Sequence, residues 1–215
     1  MRAIRSYESL LRGLADIFYP RFRQSGQSAR MLGLILARPE SKLGQSVATA
    51  QHEYWHHRSG EHIDFFWPGY EQDWSFDPKL FNGFRREFES ATRWQYSGGS
   101  ELILLDAVYD PNYKSDSCPF GRANLDFTAA LCIDLDSDEV VKRAGSIARL
   151  FEGIFRAAEE GLGKNPTRRY AHKAGVTSGS RALWAIVVAF LPEPIRELLL
   201  GKHRIPIARS IARAE

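Results

Sequence analysis

Sulfur is scarce in this sequence, which has two cysteines and two methionines among 215 residues. Cys118 and Cys132 do not form a C-x-x-C pair, and two cysteines cannot build the disulfide framework of a small secreted protein. This scarcity excludes the disulfide-stapled classes and indicates a reducing compartment. We therefore expect a cytoplasmic protein in which both thiols are free.

Long hydrophobic runs are also absent. The most apolar run, residues 182–191, ends at Pro192 and has about half of the roughly 20 residues that a membrane-spanning helix needs. The opening residues include basic side chains but neither an apolar signal region nor a small-residue cleavage site. We expect no membrane span and no secretory signal.

Positive charge is in only small excess over negative charge. The formal net charge is +3, which by itself is too little to indicate a nucleic-acid binder. The glycine pairs form neither a dinucleotide-binding G-x-G-x-x-G nor a phosphate-binding P-loop, and no G-x-S-x-G nucleophile elbow occurs. The 44% hydrophobic content, with 12% aromatics, predicts a globular domain with a substantial core.

Hydrophobic periodicity and helix-capping signals predict alternating helices and strands. The predicted helices are one that starts after Ser6 and ends before Pro20, one over residues 41–58, one that is N-capped by Asp77, and one that runs from Ser137 or Asp138 to Gly161. The predicted strands cover residues 31–37, 62–67, 101–109 and 125–135. A short further helix is predicted after Pro194.

This order predicts an α/β fold, a small mixed sheet with helices on both faces. The order of elements resembles the thioredoxin-like arrangement, but no C-x-x-C stands at the start of the first helix that follows a strand. We expect residues 1–160 to form the α/β core with its N-terminal helix. Residues 161–181 are expected to form a basic, Gly-rich connector, and residues 182–215 an apolar and helical extension that packs on the core.

One stretch, residues 51–70, concentrates histidines and aromatics. Within it His52, Glu53 and His56 satisfy the zinc-hydrolase pattern H-E-x-x-H, which on a helix places two histidines one turn apart and a glutamate beside the metal-bound water. His62 follows His52 by the ten residues that separate the corresponding metzincin histidines. The stretch therefore resembles a zincin site, which implies a zinc hydrolase with His52, His56 and His62 as ligands and Glu53 as general base.

The same stretch departs from the metzincin pattern. Ser59 stands where the glycine belongs, and Gly60 comes one residue later. A methionine turn downstream is impossible because Met1 and Met31 both precede the motif. The predicted helix also places its histidine pair on a polar face. The alternative interpretation, which these departures favour, is an exposed, polar helix end with ordinary histidines.

Aromatic residues and an arginine supply the leading hypothesis, a non-catalytic protein-binding module. Trp55, Arg58, Trp67, Tyr70 and Trp74 are of the types that anchor protein interfaces, although such residues also pack in cores. We expect them to bind a protein partner, and the chain to act without a cofactor as an adaptor, an inhibitor or a subunit of a larger assembly. A bacterial defence or immunity system is an example of such an assembly.

A third hypothesis concerns the basic connector. Residues 161–181 contain no acidic side chain, and Lys164, Arg168, Arg169 and Lys173 could contact an anion or a nucleic acid. A single aromatic residue, Tyr170, stands among these cations, fewer than the stacking aromatics that many single-strand binders interleave with their basic residues. A solvated loop is the alternative interpretation of the same residues.

Overall fold

The computed structural model describes residues 1–25, 29–45, 50–60, 62–112, 122–138, 146–160, 167 and 208–211. Strands and helices alternate over most of this part of the chain. In chain order the elements are β1 (Arg2–Ile4), α1 (Tyr7–Ser25), β2 (Ala29–Leu36), α2 (Lys42–Gln45), α3 (Ala50–Arg58), β3 (Ile63–Pro68), α4 (Pro78–Ala91), β4 (Glu101–Asp110), β5 (Arg122–Asp134), α5 (Ile147–Glu160) and β6 (Ala208–Ile211).

The described strands form a six-stranded mixed sheet in the order β1-β3-β2-β4-β5-β6. Strand β3 lies between β1 and β2 and is parallel to both, whereas β4, β5 and β6 are each antiparallel to the strands beside them. Strands β2 and β4 pair from Ala29 opposite Val108 to Leu36 opposite Glu101. The expectation of a mixed α/β sheet with helices is confirmed.

Apolar side chains cover both faces of the sheet. Along β2, Leu32, Leu34 and Leu36 belong to one core, while Met31 and Ile35 belong to the other. The first core, which we call the α1 face, includes side chains of α1 and α4. The second, the α3 face, includes side chains of α3 and α5. Since burial of one large apolar side chain contributes about 1.5–3 kcal/mol, a single strand stabilises the packing of helices on both sides.

Helix α4 begins and packs as its sequence predicts. The carboxylate of Asp77 accepts hydrogen bonds from the backbone N–H groups of Lys79 at 2.7 Å and Leu80 at 3.4 Å. Pro78 occupies the first turn, where its missing N–H removes no helical hydrogen bond. The buried side of the helix consists of Phe81, Phe84 and Phe88.

Helix α1 is longer than its sequence predicts. The expectation that it ends before Pro20 is wrong, because the helix continues to Ser25. A proline inside a helix costs about 3 kcal/mol through one lost hydrogen bond and a steric clash. Packing offsets this cost: the ring centroids of Phe18 and Phe22 lie 6.0 and 5.3 Å from that of Tyr109. Contact with the sheet before and after Pro20 outweighs the tendency of proline to end a helix.

The single helix predicted over residues 41–58 is described as two, α2 and α3, and residues 46–49 lie outside the described part of the chain. Tyr54 is 47% exposed and donates its hydroxyl hydrogen to Glu152 at 2.7 Å. Trp55 is buried instead. The indole removes more apolar area from water than the phenol, so α3 turns Trp55 toward the sheet.

The last predicted helix of the core is described from Ser146 onward, and residues 139–145 lie outside the described range. The Ser146 hydroxyl accepts the backbone N–H of Arg149 at 3.2 Å and so caps α5. The expected apolar stripe is buried at Phe151, Ile154 and Ala158. None of the helices described is both long and apolar enough to cross a membrane.

Two pieces of the chain beyond residue 160 are described. Strand β6 pairs with β5, with Ile211 opposite Ala130. Thr167 is buried, and its backbone N–H donates to a carboxylate oxygen of Asp106 at 2.9 Å. Part of the predicted connector and part of the predicted C-terminal extension thus contact the sheet. The helix expected after Pro194 lies outside the described residues.

Gly69 directly follows β3 and has a backbone conformation that favours glycine. Its φ is 84°, its N–H donates to the carbonyl oxygen of Ile4 at 3.0 Å, and its own carbonyl oxygen accepts the N–H of Asp77 at 2.8 Å. A Cβ at this position would lie 2.5 Å from the Cβ of Phe81. One residue therefore joins β1, the end of β3 and the start of α4, and no side chain fits there.

We predict that Gly69→Ala lowers the free energy of unfolding by about 2–4 kcal/mol, because alanine is strained at positive φ and its methyl group overlaps Phe81. Gly98→Ala is the matched control, since Gly98 has a φ of 98° but an added Cβ would meet nothing within 4 Å. The control should lose only about 1–2 kcal/mol. Urea unfolding followed by circular dichroism measures both, and equal losses would contradict the packing argument.

Candidate functional site

A cleft of about 460 Å³ lies beside β1, at one end of the sheet. We call it the edge cleft. It is bounded by β1, by α1 on one side, and by the end of α3 and the loop after β3 on the other. The residues that line it include Arg2, Arg5, Gly13, His56, Tyr70 and Trp74. A concave site with aromatic and charged walls is the usual form of a binding site.

The loop after β3, Tyr70–Phe76, supplies the aromatic wall, and we call it the aromatic loop. It is a closed turn in which Tyr70 forms an antiparallel bridge with Phe76. The Glu71 N–H donates to the carbonyl oxygen of Ser75 at 2.9 Å, and the Trp74 N–H donates to that of Glu71 at 3.0 Å. These backbone bonds fix the loop independently of any ligand.

Trp74 is held in an unfavourable backbone conformation. Its φ is 63°, in the left-handed region that bulky residues rarely adopt, and such residues cost about 1–3 kcal/mol. Its ring is half-buried and packs on Trp67 and Tyr70, with centroids 6.2 Å from each. The folded state is thus less stable because Trp74 lines the cleft in this conformation. Backbone strain of this kind clusters at functional sites.

The charged side chains of the cleft are mainly positive. The guanidinium Nε of Arg5 donates to Oε2 of Glu71 at 2.7 Å, so this pair is nearly neutral. Arg2 is exposed and forms no ion pair with any residue that the structure describes. One arginine is therefore left to attract an anionic group.

His56 stands at the same cleft, with its Nδ1 3.2 Å from the amino nitrogen of Met1. The positive amino group lowers the pKa of His56, and burial lowers it further. Burial in turn lowers the pKa of the Met1 amino group to about 6, so the contact favours the uncharged form of both groups.

Tyr70 is buried, and among the described residues its hydroxyl has no hydrogen-bond partner. Burial raises the pKa of Tyr70 to about 12, and the negative charge of Glu40 adds to the effect. The apolar surroundings therefore keep the phenol neutral, and its hydroxyl can still accept or donate a hydrogen bond.

The five residues of the predicted interface separate into three groups. Trp55 and Trp67 are 2% and 0% exposed, and the Trp55 ring stacks on Phe151 at 4.4 Å. They pack in the core and offer no exposed area to a partner. Arg58 lies over the ring of Phe155; its guanidinium also contacts Glu159 at 2.6 Å. Of the predicted set, Tyr70 and Trp74 line the edge cleft.

The zinc-ligand residues are placed only in part. His52 and Glu53 lie in α3, but their side chains are outside the described part of the chain. His56 is exposed at the edge cleft, and His62 is half-buried just before β3. Among described side chains no group of three His, Cys, Asp or Glu could hold a metal ion. The zinc-hydrolase hypothesis stays a prediction, which metal analysis of untagged protein tests.

The predicted anion-binding residues of the connector, Lys164, Arg168, Arg169 and Lys173, all lie outside the described residues. Their role also stays a prediction. A loss of nucleic-acid affinity with rising salt concentration would be its signature.

Sequence reasoning missed two arginines of the cleft, Arg2 in β1 and Arg5 directly after it, and also Glu71, which pairs with Arg5. A three-residue strand is too short to show a period of two, so β1 has no recognisable pattern. The one available signal was the placement of two arginines around the apolar pair Ala3 and Ile4.

We predict that Trp55→Ala lowers the free energy of unfolding by about 3–5 kcal/mol, because it leaves a cavity beside Phe151. Its neighbour Tyr54→Ala removes an exposed ring and should cost less than about 1 kcal/mol. Urea unfolding of the two variants makes the comparison. Similar, small losses would mean that Trp55 is not part of the core.

We predict that Tyr70→Phe changes stability little at neutral pH, because it removes a buried hydroxyl that has no partner among the described residues. In the parent chain the pKa of Tyr70 is raised from 10.0 to about 12 by folding. The folded state therefore keeps its full stability below pH 10, where the phenol is neutral in both states, and loses stability as the pH rises from 10 toward 12. The variant should lack this part of the alkaline loss in unfolding measurements. An unchanged alkaline slope would refute the burial of the phenol.

Comparison with known proteins found no match: no protein-family model, curated protein or solved structure matches the chain.

Proposed function

We propose that this chain is a non-catalytic protein-binding module whose partner docks in the edge cleft. Its role would be that of an adaptor, an inhibitor or a subunit of a larger assembly. The observation that carries the proposal is Trp74, a half-exposed indole held at a φ of 63° in the wall of a cleft. Arg2, which forms no ion pair with any described residue, lines the same cleft. A conformation this costly persists where it serves a function.

The chemistry of the cleft supports binding. Tryptophan and arginine are among the residue types that carry most of the energy at protein interfaces, and Trp74 and Arg2 both line the cleft. The buried ring of Tyr70 packs against Trp74 and supports it. The aromatic loop is closed by its own backbone hydrogen bonds, so little conformational entropy is lost when a partner contacts it. A pre-formed aromatic wall of this kind favours recognition over group transfer.

The fold serves in this proposal as a rigid support. Its order of elements resembles the thioredoxin-like arrangement, and we propose that the resemblance extends to architecture alone. Cys132, the cysteine of the described region, is buried, and its thiol lies 3.3 Å from a carboxylate oxygen of Glu101. A thiol enclosed in the core is not placed for exchange with a substrate disulfide.

Affinity capture with the full chain as bait, followed by mass spectrometry, tests the proposal. We expect Trp74→Ala to reduce recovery of the partner at least about tenfold, as truncation of an interface hot spot does. Tyr54→Ala is the matched control, because it removes another exposed aromatic, from the outer side of α3 near Glu152, and should leave recovery unchanged. Partners recovered equally by both variants would contradict the edge cleft as the docking site.

Trp74→Gly separates binding from folding. Glycine adopts positive φ without strain, so this variant should be about 1 kcal/mol more stable than Trp74→Ala and should bind the partner equally poorly. Urea unfolding and capture measure the two effects. If Trp74→Gly were less stable than Trp74→Ala, the strain at Trp74 would not be the cost that the proposal requires.

A further inference from the structure

We propose that the partner enters the edge cleft as an extended acidic segment that adds a strand to the open edge of β1. This inference rests on the proposed function and specifies the chemistry of the partner. It is carried by the backbone of β1, by the space beside that strand, and by the charges and rings on either side of it.

Among the described residues, β1 has a strand partner, β3, on one side only. The carbonyl oxygen of Ile4 accepts the N–H of Gly69 at 3.0 Å, so Ile4 points its backbone groups toward the β3 side. Backbone groups of successive residues in a strand point to opposite sides, which directs the N–H and C=O of Ala3 away from β3. Within the described chain β1 is the outermost strand on this side of the sheet. An unpaired donor and acceptor at an edge are the template for an added strand.

The edge cleft has room for such a strand. Ala3 lines the cleft, and across from it α1 presents Gly13. A Cβ built on Gly13 would meet no atom within 4 Å, so the wall of the cleft that α1 forms has open space in front of it. Since β1 has three residues, it offers about 10 Å of edge, enough to fix the register of a short segment.

The charges select an acidic occupant. Arg2 and Arg5 stand on either side of Ala3, and Glu71 neutralises the second of them. An added strand with a carboxylate near Arg2 completes an ion pair, whereas a basic strand brings like charges together. Complementary charge of this kind fixes register and excludes wrong partners.

The aromatic loop supplies the second element of recognition. Trp74 and Tyr70 line the same cleft as β1, and side chains of an added strand alternate between its two faces. A side chain on one face of the added strand would therefore be able to contact Trp74, the more exposed of the two rings, and backbone pairing with Ala3 would supply affinity that is independent of sequence.

A panel of labelled synthetic peptides tests the inference by fluorescence anisotropy with the full chain. The peptides, each of about nine residues, alternate valine with glutamate or valine with lysine. We expect the acidic peptide to bind at least about tenfold more tightly than the basic one. Equal binding of the two, no binding of the acidic peptide, or equally tight binding of a single-stranded oligonucleotide would overturn the proposal.

Backbone methylation tests strand addition itself. Two versions of the acidic peptide carry N-methyl groups on alternate residues, one version on the odd positions and one on the even positions. Because an added strand uses only every second N–H on the side that meets β1, we expect one version to lose about tenfold in affinity and the other to bind nearly as well as the parent. Equal effects of the two versions would exclude strand pairing.

Protein variants locate the site. Arg2→Glu should weaken the acidic peptide at least about tenfold, while Arg93→Glu, an exposed arginine beyond α4, is the control of equal charge and should change affinity less than about twofold. Equal losses in both would mean that net charge, and not the edge cleft, attracts the peptide. If Trp74→Ala abolishes capture of the natural partner while no acidic peptide binds, the proposed function stands and this inference fails.

Discussion

The backbone of Gly69 is the constraint on which the rest of the cleft depends. At a φ of 84° it ends β3, holds β1 through the carbonyl oxygen of Ile4 and starts the turn that leads to the N-cap of α4. Phe81 fills the space that a Cβ would take. The position of the sheet edge, the shape of the aromatic loop and the packing of α4 are consequently set by one residue, and a shift at that residue would move all three.

Buried charge adds specificity to the parallel half of the sheet. Arg30 on β2 and Asp64 on β3 form an ion pair, 0% and 4% exposed, with Nε and Oδ2 2.5 Å apart. Burial lowers the pKa of Arg30, and the charge of Asp64 opposes that effect. Removing one partner would leave an unpaired charge in the core, at a cost of about 3–5 kcal/mol. The pair therefore disfavours other registers of β2 against β3, and β3 in turn carries the aromatic loop to the edge.

Much of the fold could be predicted because its signals are local. Strands β2 to β5 are apolar runs between breakers, and α4 has an N-cap, a proline in its first turn and a stripe of phenylalanines. Three features could not be predicted, since tertiary contacts decide them: the course of α1 past Pro20, the choice of Trp55 over Tyr54 for burial, and β1. The cleft combines residues 1–13 with residues 56–74, and no sequence pattern relates those two segments. Its aromatic types could be recognised from the sequence, but the positive φ of Trp74 could not.

Recognition through the edge cleft is the central claim of this account. Hydrogen–deuterium exchange of the full chain, with and without its captured partner, measures it most directly, because backbone amides report contact without mutation. The account predicts slower exchange in residues 2–5 and 71–74 in the complex. Slower exchange confined to other parts of the chain, such as the outer side of α3 and α5 around Tyr54 and Glu152, would contradict it.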